Sequence, residues 1–364
     1  MAQNEIEMRL GQYHDPRLGT DLKTAKAIKR VTVDFDRIEV DVTVGYPNWG
    51  VSDDMAKSLS EWLAPVMGDK SLNLRLSSRI EAHTGRQGIA ALPNIKNIIA
   101  VASGKGGVGK STVAVNLALA LAAEGARVGL LDADIYGPSQ PTMLDTVGKR
   151  PVIDNQIFTP VESHGIQSMS IGYLVNGTAP MAWRGPMIGK AMQQMLLETR
   201  WDNLDYLVID LPPGTGDIQL TLCQKIPVSG AIIVTTPQDL ALVDVRRACE
   251  MFTKLNVPIL GVVENMSVFH CRECGHEEKI FGEGAALKLA SEYNLALFGS
   301  IPIDISIREQ TDQGKPPVVA EPEGQIAAIF RDIAHKAAGK LSLQGKDFSS
   351  RFPKIVVEQD KKTE

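Results

Sequence analysis

The loop at residues 104–111 has the residue types that hold the phosphates of a nucleotide. It reads Gly-Lys-Gly-Gly-Val-Gly-Lys-Ser and satisfies the phosphate-loop pattern G-x-x-x-x-G-K-[ST], with a strand pattern before it and a helical pattern after it. Glycines let the backbone approach phosphate oxygens, and N–H groups at a helix start form an anion site. The predicted nucleotide-binding residues of this loop are Gly104, Lys105, Gly106, Gly107, Val108, Gly109, Lys110, Ser111 and Thr112. A glycine-rich turn that binds nothing is the alternative.

The two lysines of this loop have different expected roles. Lys110 should reach the β- and γ-phosphates of ATP, while the hydroxyl of Ser111 should bind Mg2+. Lys105 follows the first glycine, and burying a second cation beside the first is costly unless an anion neutralises them. Lys105 is therefore expected to face the nucleotide rather than the core.

Carboxylates follow two of the apolar runs downstream. Asp132 and Asp134 come after the run 128–131, and open α/β sheets bind ligands at the carboxyl ends of their strands. A helix cap or a turn is the alternative for Asp132. Asp210 ends a later apolar run in the manner of a Walker B strand, whose aspartate holds Mg2+ through water. The Gly/Pro-rich segment 211–217 is then expected to act as a switch that senses the γ-phosphate.

A single C-x-x-C pair, Cys271 and Cys274, predicts a metal site. Two thiolates are half of a tetrahedral set, so either His270 and His276 complete a zinc site or a second chain supplies two more thiolates. Four thiolates suit a [4Fe-4S] cluster. A thioredoxin-type redox pair and an inert turn are the remaining alternatives. The other two cysteines, Cys223 and Cys249, lie in apolar helical contexts and are expected to be buried.

Five motifs occur in an order that is typical of one family. They occupy residues 104–111, 132–139, 183–187, 210–217 and 271–274. Together they resemble the Mrp/ApbC iron–sulfur cluster carriers over residues 97–340, and the phosphate loop is similar to the deviant Walker A loop of MinD/ParA-type ATPases. The resemblance implies a homodimeric ATPase that takes a [4Fe-4S] cluster from scaffold donors, holds it on paired C-x-x-C motifs and delivers it to apo iron–sulfur proteins.

The same resemblance implies roles for individual residues. Lys105 would reach across the dimer to the partner's phosphates, Asp134 would orient the attacking water, and Asp132 would support the loop or Mg2+. Asn265 would contact adenine and Pro302 would pack near the ring; a buried asparagine that caps a loop is the alternative for Asn265. The predicted catalytic residues are thus Lys105, Lys110 and Asp134, the magnesium residues Ser111, Asp132 and Asp210, and the cluster ligands Cys271 and Cys274.

The elements that must position these residues follow from the hydrophobic pattern. Short apolar runs alternate with helical stretches, which predicts an α/β P-loop NTPase fold with a mainly parallel sheet covered by helices on both faces. The expected strands are 98–102, 128–131, 206–209, 231–235, 259–263 and 295–299, and the expected helices include 110–123 and 325–341. The expected units are a small α/β domain at 1–80, a linker at 81–96, the ATPase domain at 97–341 and a polar tail at 342–364.

The first unit has patterns of its own. Strands are expected at 32–35, 37–44 and 72–76, with a helix at 52–67 between the last two. Residues 15–19 resemble the start of the small domain often fused to these carriers, but residues 44–50 lack the cysteine that some of its members carry. We therefore expect a docking or regulatory role rather than a metal role.

Composition bounds the function classes. The net charge is -5 and the pI about 5.8, which argues against a nucleic-acid surface. No secretory signal or membrane-spanning run is evident, so a cytoplasmic protein is expected. A MinD/ParA-like positioning ATPase is the rival function, but the segment 348–355 is short and contains a proline, which disfavours a membrane-anchoring helix. An ATPase with a structural zinc site is the second rival.

Overall fold

A computed structural model describes residues 2–83, 89–174, 185–271 and 273–346. Part of the 183–187 motif, Arg272 between the two cysteines, and the segment 348–355 lie outside these ranges. Among the described residues, no helix combines the length and the apolar character that crossing a bilayer requires.

The first region is a small sheet covered by two helices. Its elements are α1 (Ala2–Gly11), β1 (His14–Asp15), β2 (Thr20–Asp21), β3 (Ile28–Val33), β4 (Arg37–Val44), α2 (Ser52–Met67) and β5 (Ser71–Ser78). Strands β3 and β4 are antiparallel, while β5 pairs with β4 in parallel because α2 supplies the crossover. The predicted helix and the three predicted strands are confirmed, although β3 begins four residues earlier than the expected strand and ends before Asp34.

The second region alternates strands and helices. Its elements are β6 (Ile95–Ser103), α3 (Lys110–Ala123), β7 (Val128–Asp132), α4 (Gln140–Met143), β8 (Val152–Asp154), β9 (Ile157–Thr159), β10 (Val161–Ser163), β11 (Ile166–Ser170), α5 (Gly185–Leu197), β12 (Leu204–Asp210), α6 (Asp217–Lys225), β13 (Gly230–Thr235), α7 (Asp239–Lys254), β14 (Ile259–His270), β15 (Glu277–Glu278), α8 (Ala285–Glu292), β16 (Ala296–Ile303), α9 (Ile305–Asp312), α10 (Pro317–Ala320) and α11 (Gln325–Ser342).

One large sheet organises this region. In the described ranges its strand order is β10-β11-β7-β12-β6-β13-β14, and β14 pairs further with both β15 and β16. Every pair from β11 to β14 is parallel, as is β14 with β16, whereas β10 and β15 are antiparallel additions at the two sides. The mainly parallel sheet is confirmed, and each of the six predicted strands is present.

Both faces of the sheet are buried. Successive residues of the central strand β6 face opposite sides, so this strand contributes to the core on each face. From β6, Ile99 and Val101 join a core that includes α3, α11 and the first region. Ile98 and Ala100 join a second core that includes side chains of α5, α6, α7 and α8. The predicted covering of both faces by helices is confirmed.

The first region contacts the second at the carboxyl end of α3. The carboxylate of Glu124, only 2% exposed, accepts the backbone N–H of Gly50 at 2.8 Å and lies 3.1 Å from Nε2 of His335. The indole of Trp49 covers Gly125, where an added Cβ would lie 2.5 Å from the ring. These contacts join a loop of the first region to the residues directly after the helix that begins at the phosphate loop.

The segment expected as a linker contacts the large sheet and supplies the first residues of β6. Strand β6 begins at Ile95, two residues inside the predicted 81–96 segment. Upstream, the backbone N–H of His83 donates to Oδ1 of Asn97 at 3.1 Å. At least part of the segment is therefore held against the sheet.

Candidate functional site

The phosphate loop joins β6 to α3, as the sequence predicts. Gly107 and Gly109 have φ values of 81° and 80°, in the left-handed region that glycine tolerates. A Cβ at Gly104 would lie 2.4 Å from the backbone carbon of Asp244, so α7 packs directly on the start of the loop. Glycine at these positions is a steric requirement.

Lys110, the first residue of α3, lies among the predicted polar residues. Its ammonium group donates to Oδ1 of Asp210 and, at 3.2 Å, to the hydroxyl of Ser111. It is also 3.9 Å from Oδ2 of Asp134. The strand order places these groups together, because β12, which ends in Asp210, lies between β6 and β7.

Asp132 is fully buried and surrounded by donors. Its carboxylate accepts the backbone N–H groups of Asp134 at 3.1 Å and Gln140 at 3.3 Å, and the hydroxyl of Ser170 at 2.9 Å. Burial, together with the negative charge of Asp210, raises its pKa to about 7. Of the two roles that the family resemblance implies for Asp132, this set of donors favours support of the loop.

Asp134 lies at the edge of the same group. Its side chain is 16% exposed, and burial raises its pKa, although Lys110 lowers it in part. A carboxylate that is partly open and close to Lys110 has the access that contact with a water at the phosphates requires. Its role in orienting that water stays a prediction.

Gln140 and Ser170 belong to this site, and sequence reasoning did not single them out. Nε2 of Gln140 donates to Oδ2 of Asp210 at 2.9 Å and to the carbonyl of Ser111 at 3.1 Å. Ser170 ends β11, in register with Asp132 of β7. Strand β11 was not predicted, so the rule that ligands gather at strand ends had no strand from which to find Ser170.

Lys105 does not join the carboxylates around Lys110. Its side chain is half-buried, and its ammonium lies 3.5 Å from Oε1 of Gln238, the residue before α7. The carbonyl of Lys105 accepts the hydroxyl of Ser103 at 2.9 Å. The two lysines of the loop thus have separate partners, and the predicted reach of Lys105 to a partner's phosphates stays a prediction.

Asn265 and Pro302 lie close together on neighbouring strands. Asn265 of β14 is paired with Ile301 of β16, the residue before Pro302. The Nδ2 group of Asn265 donates to the carbonyl of Val108 at 2.8 Å, so this side chain contacts the phosphate loop itself. The structure thus gives Asn265 the loop contact that was its alternative role, and the adenine contacts of both residues stay predictions.

Strand β14 leads from Asn265, which contacts the phosphate loop, to the cysteine pair. Met266, directly after Asn265, has a φ of 58°, and the pairing of β14 with β16 shifts register between Asn265 and Phe269. The strand ends at His270, and β15 pairs with its last two residues to form a ribbon. Only five residues separate Asn265 from Cys271 along the chain.

Both predicted cluster ligands lie at the tip of this ribbon. The backbone N–H of Cys271 donates to the carbonyl of His276 at 2.9 Å, and the N–H of Gly275 donates to the carbonyl of Cys271 at 2.9 Å. The Cys271 thiol is half-buried and the Cys274 thiol is exposed. Hydrogen bonds from the backbone N–H groups of Cys274 and then Glu273 lower the pKa of Cys271, which favours the thiolate that a metal binds.

The histidines beside the cysteines do not complete a metal site in one chain. Nδ1 of His270 lies 3.3 Å from a carboxylate oxygen of Glu277. Among the described residues, no three His, Cys, Asp or Glu side chains form a group that could hold a metal ion. The Cys223 and Cys249 thiols are buried, as expected, and burial raises the pKa of Cys249 to about 12.

Two models of known families match this chain. Residues 94–338 match the model of a family described as the NUBPL iron-transfer P-loop NTPase. Residues 3–73 match a second one, described as an iron–sulfur cluster assembly protein. The chain belongs to the NUBPL iron-transfer P-loop NTPase family. The resemblance read from the five motifs is confirmed.

Relatives of this chain include proteins named as iron–sulfur cluster carriers or transfer proteins. The chain is 50% identical over 337 residues to the iron–sulfur cluster carrier protein of Escherichia coli K12, covering 92% of this chain and 91% of that protein. It is 50% identical over 252 residues to the mouse iron–sulfur cluster transfer protein NUBPL, covering 69% and 79%. The similarity to the Escherichia coli protein extends over nearly the whole chain, whereas the NTPase family model covers residues 94–338.

Solved structures give the same fold. A nucleotide-binding protein from Archaeoglobus fulgidus in complex with ADP matches with a TM-score of 0.56 and 39% identity, covering 64% of this chain and 91% of that one. The cell division ATPase MinD of Pyrococcus furiosus matches with a TM-score of 0.50 and 23% identity, covering 66% and 97%. The second match shows the fold of this NTPase and no more.

Proposed function

We propose that this chain binds and hydrolyses ATP, holds a [4Fe-4S] cluster between the cysteine pairs of two copies, and transfers the cluster to apo iron–sulfur proteins. One observation carries the proposal. The thiols of Cys271 and Cys274 lie at the accessible tip of a ribbon, with no third ligand beside them in the described part of the chain. Two thiolates suit a cargo that a second copy helps to hold and that a recipient can remove.

The nucleotide site supports the ATPase part of this proposal. Lys110 now contacts Asp134 and Asp210, and on ATP binding its ammonium group would instead bind the β- and γ-phosphates. Asp134 would orient the water that attacks the γ-phosphorus, releasing ADP and phosphate. Lys105 would stabilise the phosphates of a second copy. These are the catalytic residues of the proposal.

The residues present also fit a magnesium ion. Two carboxylates, those of Asp134 and Asp210, lie beside the single ammonium group of Lys110, so the site has an excess of negative charge for a cation to balance. Ser111 would bind Mg2+ directly and Asp210 through water, with Asp132 holding the loop around them. When bound, Mg2+ supplies charge neutralisation at the phosphates.

Reconstitution with iron and sulfide tests the cluster. The protein is incubated anaerobically with iron and sulfide, and its visible spectrum and iron content are measured. We expect a broad cluster absorption that disappears in Cys271→Ser and Cys274→Ser. The matched control is Cys223→Ser, which removes a buried thiol far from the ribbon in sequence and should retain the absorption. Stoichiometric zinc without any chromophore would favour the structural zinc alternative.

A further inference from the structure

Gln219 lies in the first turn of α6, just after the predicted switch segment 211–217. The residue is only 2% exposed, and its Nε2 group donates to the carbonyl of Pro212. A helix residue thereby anchors the backbone of the switch.

The other end of this amide is unpaired. Oε1 of Gln219 is buried and has no hydrogen-bond partner among the described residues. The orientation of the amide is determined by its neighbour, because only the NH2 group can face the carbonyl of Pro212. The oxygen therefore points away from Pro212 and has no donor among the described residues, which is unfavourable for a buried acceptor.

The anchored segment also contacts the phosphate loop. The backbone N–H of Gly214 donates to the carbonyl of Ser103 at 3.1 Å, and the hydroxyl of Ser103 donates to the carbonyl of Lys105 at 2.9 Å. Gly214 has a φ of 90°, which only glycine adopts easily. Hydrogen bonds thus connect Gln219, the switch and the early lysine of the loop.

We propose that Gln219 is a positioning residue for the γ-phosphate switch. When the γ-phosphate of ATP draws the switch toward the loop, Oε1 accepts a donor from the moving segment while Nε2 keeps Pro212 in place. The conformation that recognises ATP gains this bond, and the conformation with ADP does not. The inference rests on the proposed ATPase function and adds to it the residue that distinguishes ATP from ADP.

Nucleotide affinities of the full-length protein test this role. Binding of fluorescent N-methylanthraniloyl ADP and of a non-hydrolysable ATP analogue is titrated with Mg2+ present, for Gln219→Met and Gln219→Glu. Methionine fills the volume without hydrogen bonds, whereas ionised glutamate keeps an acceptor at the position of Oε1 and loses only the donor to Pro212. We expect Gln219→Met to bind the ATP analogue about tenfold more weakly, the effect of losing one hydrogen bond, with ADP affinity unchanged. Gln219→Glu should keep the wild-type ratio of the two affinities.

A variant on the exposed side of the same helix is the control. Gln224→Met should leave both affinities unchanged, because Gln224 faces solvent. An equal loss for both nucleotides, or none, in Gln219→Met would overturn the positioning role while the wild type still binds ATP. Absence of nucleotide binding in the wild type would instead overturn the proposed function. Should thermal melting show that Gln219→Met is unfolded, Gln219→Glu still tests the role, because a selective loss of ATP-analogue binding in that variant would contradict it.

Discussion

The buried ion pair between Lys110 and Asp210 combines structure and chemistry in one contact. Both side chains are almost fully buried, at 6% and 0% exposure. The negative charge of Asp210 also contributes to the raised pKa of the neighbouring Asp132. Lys110 neutralises the Asp210 carboxylate and, in the proposed function, also binds phosphate, so a substitution should affect both stability and activity.

Replacing Lys110 by alanine should therefore have two effects. ATP hydrolysis, measured by phosphate release, should be abolished. The free energy of unfolding, measured by urea denaturation, should fall by about 3 kcal/mol because an unpaired buried carboxylate remains. Lys110→Ala combined with Asp210→Asn should recover part of that stability without activity. Retained turnover in Lys110→Ala would refute the role of this lysine.

Gly109 offers a second test of the loop. Its φ is 80°, and an added Cβ would lie 2.1 Å from Nδ2 of Asn265, so Gly109→Ala strains the backbone and displaces the Asn265 contact. We expect the loss of at least tenfold in ATP affinity, equivalent to about 1.4 kcal/mol. Gly137→Ala is the matched control, since nothing lies within 4 Å of its added Cβ. Equal affinities for the two variants would contradict the steric requirement.

At the residue scale, the sequence predicts those functional groups that belong to a motif with a fixed spacing. The loop glycines, Lys110 and Asp210 follow from a motif, and the structure brings them together. Gln140 and Gln219 do not, because an amide has no diagnostic spacing and becomes informative only when its partners are known. Asn265 was predicted as a base contact, whereas its amide group is seen on the loop backbone.

At the scale of elements, hydrophobic pattern predicted the buried strands but not the short ones. The predicted strand at 259–263 is the first part of β14, which extends to His270. Its later residues are only partly buried, so the apolar signal fades there although the pairing continues. Strands β10 and β11 are short and contain several polar residues, and β11 joins the large sheet through β7, a pairing that the local pattern does not reveal.

The Glu124 contact at the end of α3 should give the stability a pH dependence. Burial alone would raise the pKa of Glu124, but the His335 ring, 3.1 Å from the carboxylate, and the N–H of Gly50 outweigh it and lower the pKa. A carboxylate with a lowered folded-state pKa stabilises the fold above its unfolded value of about 4.3 and loses this contribution at lower pH. We therefore expect Glu124→Gln to be destabilised at pH 7.

Urea denaturation of wild type and Glu124→Gln between pH 7 and 3 measures this effect. The part of the difference that depends on the Glu124 carboxylate should shrink below about pH 4.3. Glu61→Gln is the control, because Glu61 is an exposed residue of α2. A Glu124→Gln variant as stable as wild type at pH 7 would show that the contact contributes nothing to the fold.

At the scale of the whole molecule, the number of cysteine ligands in each chain determines how many chains one cluster needs. One chain supplies Cys271 and Cys274 and, in its described part, no further ligand group. A [4Fe-4S] cluster with four thiolate ligands therefore requires two chains. We expect one cluster, with four iron atoms, per two chains after anaerobic reconstitution.

Analytical ultracentrifugation with iron analysis checks this ratio. Loading should shift the sedimentation to that of a dimer, and Cys271→Ser should remove the loading and the cluster-dependent shift together. Four iron atoms bound to a monomer would contradict the shared site. A dimer that forms without the cluster and persists in Cys271→Ser would assign dimerisation to other contacts.

Helix α3 has the phosphate loop at one end and Trp49 near the other. Its 14 residues span about 21 Å at the usual rise per residue. The Trp49 indole is 76% exposed yet covers Gly125, so its fluorescence should depend on how this end of the helix is seated. The chain contains four tryptophans, and replacing the other three by phenylalanine would leave an intrinsic optical probe of events at the phosphate loop, without a dye.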